Sequence, residues 1–338
     1  MNTKNRLFPI LLWVAGLCLC GTLATQADSI RTQTIALQKG WNAVYLQVQP
    51  TNVAPAQVFG ALPVSIVAAY FNTGSSVKFL SSPTNTAWKK EGWGVWYAPT
   101  RKDAFLSSLF SINGNRAYLI YANQACIWTV TGNVLFEPMT WRSDSYNLTG
   151  FTLDATSPPT YQKFFSGSKA HQPLKIFRLL NDRWVQADPI FTPMKDGEAF
   201  WVYCTGGSQY QGPLGIQVLM NGALDFGLST SKLDLTLLND SPTPLGISVI
   251  NNGNSPLPLA YVLQKVMTGS IVQMNIDLPP QFDMPTQDPY SSTALRLTLK
   301  RENMTVARQV SLLKVVSDYG TVFWLPVAGS RPDLPATP

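Results

Sequence analysis

The chain has 338 residues, of which 13% are charged and 11% are aromatic, and its formal net charge is +6. Many aromatic residues with few charges are typical of a packed β-rich protein and exclude an intrinsically disordered chain. The basic residues are scattered and no nucleic-acid-binding motif occurs, so we expect a solvated basic surface and no nucleic acid as a partner.

The first 27 residues have the organisation of a secretory signal peptide. Lys4 and Arg6 precede an uncharged apolar run from Leu7 to Leu23, and Thr25-Gln26-Ala27 provides small residues for cleavage. An uncleaved anchor is the alternative, because the run approaches the ~20 residues that cross a bilayer. No later segment has that length and hydropathy. We therefore expect an exported protein of the periplasm, the cell surface or the extracellular space, with no membrane span after cleavage.

An internal repeat follows, in residues 40–132 and 145–214. The two segments share their landmarks in one order, which indicates duplicated β-rich modules. We place the first module at 28–140 and the second at 141–216. The landmarks are the openings Gly40-Trp41-Asn42 and Ser145-Tyr146-Asn147, the segments Pro55–Phe59 and Thr160–Phe165, the segments Ala69–Phe71 and Lys175–Phe177, and the late strands Ala117–Tyr121 and Ala199–Tyr203, preceded by Gly114 and Gly197.

Strand patterns fill both modules. Val44, Leu46 and Val48 alternate with Tyr and Gln residues, as in a half-buried strand. The late strands are continuously apolar, which is typical of strands covered on both faces. Short helices are expected after Asp103 and after Ser157, which precedes a proline. The predicted fold class is all-β with minor short helices.

The first module carries an insertion between Phe71 and Trp96 that the second module lacks. Insertions in repeats often form the binding face, and exposed Trp beside charge can stack on sugar rings or anchor a protein partner. Packing of the loop on its own domain is the alternative. Trp96 is assigned to the core because it aligns with Trp184. The predicted ligand- or partner-binding residues are Trp88, Trp93, Lys89 and Lys90.

Residues 217–328 change in character and predict a C-terminal domain. Short alternating strands separated by Pro, Asn and Gly turns indicate an immunoglobulin-like β-sandwich. The Cys…Trp…Cys hallmark of antibody domains is absent. Residues 329–338 are small and Pro-rich and predict a flexible tail. The leucines expected to face the core are Leu233, Leu235, Leu237, Leu295, Leu297 and Leu299.

The opening Leu37-Gln38-Lys39-Gly40-Trp41-Asn42-Ala43-Val44 resembles the Gly-Trp-Asn start of β-rich modules in exported bacterial surface proteins. The segment Gly197-Glu198-Ala199-Phe200-Trp201-Val202 resembles the second half of the same pattern. The resemblance covers residues 35–215 in two copies, and residues 218–328 are similar to immunoglobulin-like domains that accompany such modules. It implies no catalytic residue. The second copy departs from the pattern, with Tyr146 in place of Trp and no Gly before it.

Few residues suit catalysis or metal binding. The single His, His171, is expected in an exposed loop, and without a His/Cys cluster we expect no metal site and no cofactor. Asp196 and Glu198 flank Gly197 and are the best carboxylate pair, because two residues apart on a strand is a spacing that a glycoside hydrolase could use. An Asp-Gly turn without a catalytic role is the alternative.

Two cysteines, Cys126 and Cys204, follow the predicted signal peptide. In an oxidising compartment they are candidates for a disulfide between the two modules. Two free cysteines that pack as small apolar residues are the alternative.

These features predict a non-catalytic exported protein with a structural or adhesion role at a bacterial cell surface or in the periplasm. Its expected partners are cell-surface or extracellular proteins. A carbohydrate-binding protein that holds glycans through Trp88 and Trp93 is the first alternative. A glycoside hydrolase that uses Asp196 and Glu198 is the second.

Overall fold

The computed structural model describes residues 29–334, except 72–91, 220–221, 252, 254 and 268–269. The predicted signal peptide, residues 1–27, lies outside the described residues. Within the described ranges, no helix has the length and hydropathy to cross a membrane.

Strands dominate the described residues, and each helix spans about one turn, which confirms the all-β fold class with minor short helices. The α-helices are α1 (Pro55–Phe59) and α2 (Tyr161–Phe164), and single 3-10 turns lie at 104–106, 169–171 and 301–303. The strands are β1 (Ile30–Leu37), β2 (Gly40–Leu46), β3 (Gln49–Pro50), β4 (Val64–Tyr70), β5 (Trp93–Tyr97), β6 (Arg116–Ala122), β7 (Cys126–Asn133), β8 (Ser145–Thr149), β9 (Ile176–Leu180), β10 (Arg183–Gln186), β11 (Phe200–Cys204), β12 (Leu214–Val218), β13 (Leu224–Asp225), β14 (Lys232–Asn239), β15 (Ile247–Ile250), β16 (Leu259–Met267), β17 (Ser270–Asp277), β18 (Gln281–Asp283), β19 (Ser292–Leu299), β20 (Arg308–Ser317) and β21 (Val322–Ser330).

The helix starts differ from those predicted. Helix α2 follows Thr160, whose hydroxyl accepts the Lys163 N–H at 3.3 Å, and Ser157 lies in a preceding turn. After Asp103 the chain forms only a three-residue 3-10 turn. There the N–H groups of Ser108 and Leu109 donate to the Val95 carbonyl, so the chain pairs with β5 directly after the turn.

The first module is a sandwich of two sheets. Strands β2, β6, β4 and β5 form one sheet in that order, and β1, β7 and β3 form the other. The core between them includes Phe59 of α1 and Trp128 of β7, whose ring centroids are 4.8 Å apart. Helix α1 therefore supplies a fully buried side chain to this core.

The second module repeats the four-stranded sheet of the first. Its order is β8, β11, β9, β10, so in each copy the strand that comes last along the chain lies between the first and the second. The late strands at Ala117–Tyr121 and Ala199–Tyr203 therefore occupy the same place in their sheets, which confirms that expectation. Phe164 of α2 is fully buried, as Phe59 of α1 is in the first copy.

The strand register corrects two landmarks of the repeat. When the late strands are aligned, the pairing of the neighbouring strands makes Ala68 equivalent to Phe177 and Trp93 equivalent to Trp184. The predicted pairing of Trp96 with Trp184 is therefore displaced by three residues. An odd shift moves a side chain to the opposite face of a sheet, and Trp96 does face the core of the first module instead.

A left-handed residue precedes each late strand. It is Asn115 (φ 52°) in the first copy and Gly197 (φ 69°) in the second, so the equivalent of Gly197 is Asn115 and not Gly114. Asn tolerates this conformation better than most residues with a side chain, which explains the exchange.

The Asn of each opening motif holds the turn before the first strand. Asn42 accepts the Gln38 N–H at 2.8 Å, and its amide donates to the carbonyls of Gln38 and Gly40. Asn147 accepts the Arg142 N–H at 2.9 Å and donates to the carbonyls of Arg142 and Ser145. The motif thus encodes a turn held by a side-chain amide.

Gly40 is required because the carboxylate of Asp182 lies close to its backbone, a contact that the second copy does not make. Its φ is 98°, and a Cβ there would lie 2.8 Å from the carboxylate of Asp182. That carboxylate accepts the Trp41 N–H at 2.6 Å, which joins the opening of the first module to the β9–β10 turn of the second.

Residues from β12 onward form a C-terminal β-sandwich of two five-stranded sheets. One sheet has the order β12-β14-β19-β16-β17, and the other has the order β13-β21-β20-β15-β18. Strand β21 continues to Ser330, so the first residues of the predicted tail belong to the sheet. The leucines predicted to face the core do so, with Leu235, Leu237, Leu295, Leu297 and Leu299 buried and Leu233 partly buried.

Candidate functional site

Equivalent faces of the two four-stranded sheets pack against each other and define the module junction. Trp201 of β11 is fully buried there. Trp93 of the first module and Trp184 of the second contact its ring edge-on, with centroid distances of 6.4 and 6.1 Å. Tyr70 packs on the same ring at 5.9 Å. The junction is thus an aromatic core to which both modules contribute.

This junction holds the end of the predicted insertion. Trp93 is half-buried, and it contacts Tyr70 as well as Trp201. Trp88, Lys89 and Lys90 lie outside the described residues. The one described member of the predicted binding set therefore anchors the end of the insertion to the junction.

Asp196 of the proposed carboxylate pair ties three segments together. Its Oδ1 accepts the side-chain amide of Gln47 at 2.7 Å and the Leu153 N–H at 2.8 Å. Gln47 in turn accepts a hydrogen bond from Arg31 at 2.8 Å. The carboxylate thus links the first module to the second.

Glu198, the other member, forms a bidentate ion pair with Arg178. The two N–O distances are 2.9 and 2.7 Å, and the side chains are 16% and 9% exposed. Its backbone also forms a bridge to Val44 of the first module. Glu198 and Asp196 therefore have separate partners. The Glu198 ion pair lies within the second module, and only the Glu198 backbone contacts the first module.

His171 is buried, contrary to the exposed loop position expected. It is 1% exposed, and its Nδ1 lies 2.6 Å from the Ser168 hydroxyl. Its ring lies against Trp141 and Phe165, with centroid distances of 4.2 and 4.9 Å. Its polar surroundings in the sequence suggested exposure, but the ring of Trp141, which precedes β8, packs on it. Burial lowers the pKa of His171 to about 4.

Cys126 and Cys204 are free thiols in the structure. Cys126 begins β7 and is half-buried, whereas Cys204 ends β11 and is buried in the core of the second module. Burial raises the pKa of both thiols, so it favours the neutral form. Among the described residues no group of three or more His, Cys, Asp or Glu side chains is placed to hold a metal ion.

Large apolar side chains are exposed after β5 and β10, the third strands along the chain in the two four-stranded sheets. We name these segments, residues 104–110 and 189–192, the contact loops. Phe105 and Phe110 are 82% and 77% exposed, and Phe191 is 79% exposed. Neither loop is predicted by the sequence patterns above. The signal was a Pro soon after each third strand, at Pro99 and Pro189, followed by Phe.

A cavity of about 370 Å³ lies where the two modules meet the C-terminal domain. Arg31 and Tyr70 line it from the first module, Tyr146 lines it from the second, and Thr321 and Trp324 line it from the start of β21. The walls combine aromatic rings with polar groups.

Comparisons with known proteins identify no family. No family model matches the chain, and no curated protein matches it. Among solved structures the chain is similar to the ASH / PapD-like domain of human CEP192 (PapD-like domain 7), with 11% sequence identity and a TM-score of 0.22. That similarity covers 37% of this chain and 87% of the domain.

The ion pair at Glu198 provides a stability test. Glu198→Gln should lower the free energy of unfolding by about 3 kcal/mol, because it leaves the buried Arg178 charge without a counterion. Asp234→Asn is a matched control: it breaks a bidentate pair with Arg296, whose side chains are 33% and 46% exposed, and it should cost less than about 1 kcal/mol. Urea unfolding measures both. Equal costs would show that the pair of Arg178 and Glu198 is not buried.

His171 predicts a pH dependence of stability. Its folded-state pKa is about 4, below the value of about 6.5 expected when unfolded, so the unfolded chain binds the proton first as the pH falls. This group's contribution is complete above pH ~6.5 and is lost toward pH ~4. Between pH 7 and pH 5 the free energy of unfolding should fall by about 2 kcal/mol from this residue. His171→Phe should remove that part of the slope, and an unchanged slope would contradict the burial.

Proposed function

We propose that the chain is an exported, non-catalytic structural or adhesion protein that holds protein partners at a bacterial cell surface or in the periplasm. The contact loops carry this proposal. Exposed aromatic side chains can mark a protein interaction site. Such side chains follow β5 in the first module and the equivalent strand β10 in the second. A duplicated loop also suits multivalent binding.

The engagement of the ionisable groups supports a non-catalytic role. Glu198 is neutralised by Arg178, Asp196 accepts two hydrogen bonds, and His171 lies in an aromatic core. A general acid or nucleophile must reach the substrate, and these groups face other parts of the protein. A glycoside hydrolase that uses Asp196 and Glu198 is therefore not favoured.

Export is supported by the signal-peptide pattern of residues 1–27. Expression of the full chain in a bacterial host, with fractionation and mass spectrometry of the product, tests it. We expect a product that starts at Asp28 outside the cytoplasm. An intact N-terminus in the cytoplasmic fraction would contradict export, and an intact N-terminus in the membrane fraction would indicate an anchor.

The contact loops predict the outcome of a paired substitution. The double variant Phe105→Ser and Phe191→Ser should reduce binding of the purified protein to envelope proteins of the producing cells about tenfold or more, because exposed aromatic anchors supply much of the contact energy. The free energy of unfolding should change by less than about 0.5 kcal/mol per substitution, since both side chains are solvated. Surface plasmon resonance and urea unfolding measure the two quantities.

The matched control is Leu228→Ser, which removes a 66% exposed apolar side chain from the C-terminal domain. It should leave binding within about twofold. Protease treatment of the envelope should abolish binding, and glycan removal should not. Binding that survives protease but not glycan removal would replace the protein partner by a carbohydrate. Equal binding by the double variant and the wild type would reject the contact loops.

A further inference from the structure

Strand β17 is an open edge of the C-terminal sandwich. It is the outermost strand of its sheet and is eight residues long, and no described strand lies beyond it. The Leu278 N–H donates to the Leu259 carbonyl of β16 at 2.9 Å. Because backbone groups alternate along an antiparallel strand, the N–H and C=O groups of Ile271, Gln273 and Asn275 point away from β16. Strand β17 therefore presents a row of backbone donors and acceptors on its free side.

The other edges of this sandwich are short or covered. The edge strands β12, β13 and β18 have five, two and three residues. The side-chain oxygen of Gln211 accepts the Ile216 N–H of β12 at 3.3 Å, and β18 ends at the charged residue Asp283. Proteins protect free edges by such means because an open edge pairs with other strands. Among the described strands of this domain, β17 is the exception.

The sequence of β17 also lacks the usual protections of an edge. Residues 270–276 contain no charged residue, no Pro and no Gly. The first charge is at Asp277, which forms an ion pair with Lys300 of its own domain. Residues 272–275 are exposed. An uncharged strand of this composition favours pairing with a further strand.

An apolar strip extends from the core along the hairpin of β16 and β17. Tyr261 packs against Phe282 of the opposite sheet, with ring centroids 4.4 Å apart. Further along the same face, Leu263 lies opposite Met274, and both are exposed, as is Val272. The strip reaches the free side of β17, so a partner strand would continue it.

A second copy of β17 matches this edge. In antiparallel pairing about a two-fold axis at Gln273, the two Gln273 residues lie opposite each other, and Val272 lies opposite Met274 of the second copy. These apolar side chains then share one face of a continuous sheet and join the two strips. Within residues 270–276 no like charges meet, because the segment is uncharged. The outward-pointing backbone groups are those that this register pairs, and they form about six hydrogen bonds.

We propose that the protein forms a two-fold symmetric dimer in which the β17 strands of two copies pair antiparallel, centred on Gln273. The pairing joins two five-stranded sheets into one. It uses the one long open edge among the described strands of this domain, so assembly stops at two copies. An edge-to-edge interface is small, and we expect a dissociation constant on the order of 10 µM. The interface is separate from the contact loops, and the inference does not depend on the proposed function.

Sedimentation velocity of the purified protein measures the association. Between about 1 and 300 µM the weight-average mass should rise from that of a monomer to that of a dimer and then reach a plateau.

Charges placed at the two-fold axis test the pairing. Gln273→Lys and Gln273→Glu each bring two like charges together, so either variant alone should dimerise at least about tenfold more weakly. An equimolar mixture of the two should recover an affinity within about threefold of the wild type, because opposite charges then meet. Gln217→Lys is the matched control: it adds the same charge at an exposed position of β12, on the opposite edge of the same sheet. It should change affinity less than about twofold.

Urea unfolding of the variants shows that they are folded, since Gln273 and Gln217 are both exposed and the midpoints should match the wild type. The Phe105→Ser and Phe191→Ser double variant should dimerise as the wild type does. This result separates failure of the dimer from failure of the contact loops.

Four results would overturn the proposal. A monomer throughout the concentration range would mean that the edge stays unpaired or takes a strand from another protein. Unchanged dimerisation of both folded Gln273 variants would place the interface elsewhere. Weakened variants that the mixture does not restore would contradict two-fold pairing at Gln273. Loss of the dimer in the double variant of Phe105 and Phe191 would move the interface to the contact loops.

Discussion

The packing of two equivalent sheet faces around Trp201 organises the molecule. A four-stranded sheet of the first module is covered on one face by its own second sheet and on the other by the second module. The late strands are therefore covered on both faces, which explains their continuous apolar runs. Trp93 and Trp184 occupy equivalent positions and contact the same ring. The duplication thus created two faces that bury each other.

Polar contacts then fix how the modules and the C-terminal domain meet. Gln47 joins Arg31 to Asp196, and Asp196 holds the backbone at Leu153. The second module meets the C-terminal domain through the backbone, because Leu153 forms a β-bridge with Thr321 at the start of β21. These contacts engage Asp196, one of the two carboxylates that resembled a catalytic pair.

Sequence reasoning reached the parts of the structure that local patterns determine. The order of the landmarks predicted the shared position of the late strands, and the alternating leucines predicted the C-terminal core. It missed features that depend on distant contacts. His171 is buried by rings from other segments, and Asp182 reaches Trp41 across 141 positions. Trp96 and Trp93 could not be distinguished by residue type, because only the strand pairing sets the register.

Because their sheets bury each other around Trp201, the two modules should open as one unit, and native-state hydrogen exchange tests this most directly. The Tyr45 N–H donates to Gly197 at 2.8 Å and the Ala199 N–H donates to Ala43 at 3.1 Å, so both amides report on the junction. If the account is right, these amides and those of β6 and β11 exchange with the same free energy of opening. Exchange of the junction amides at a clearly lower free energy, with β6 and β11 opening independently, would contradict it.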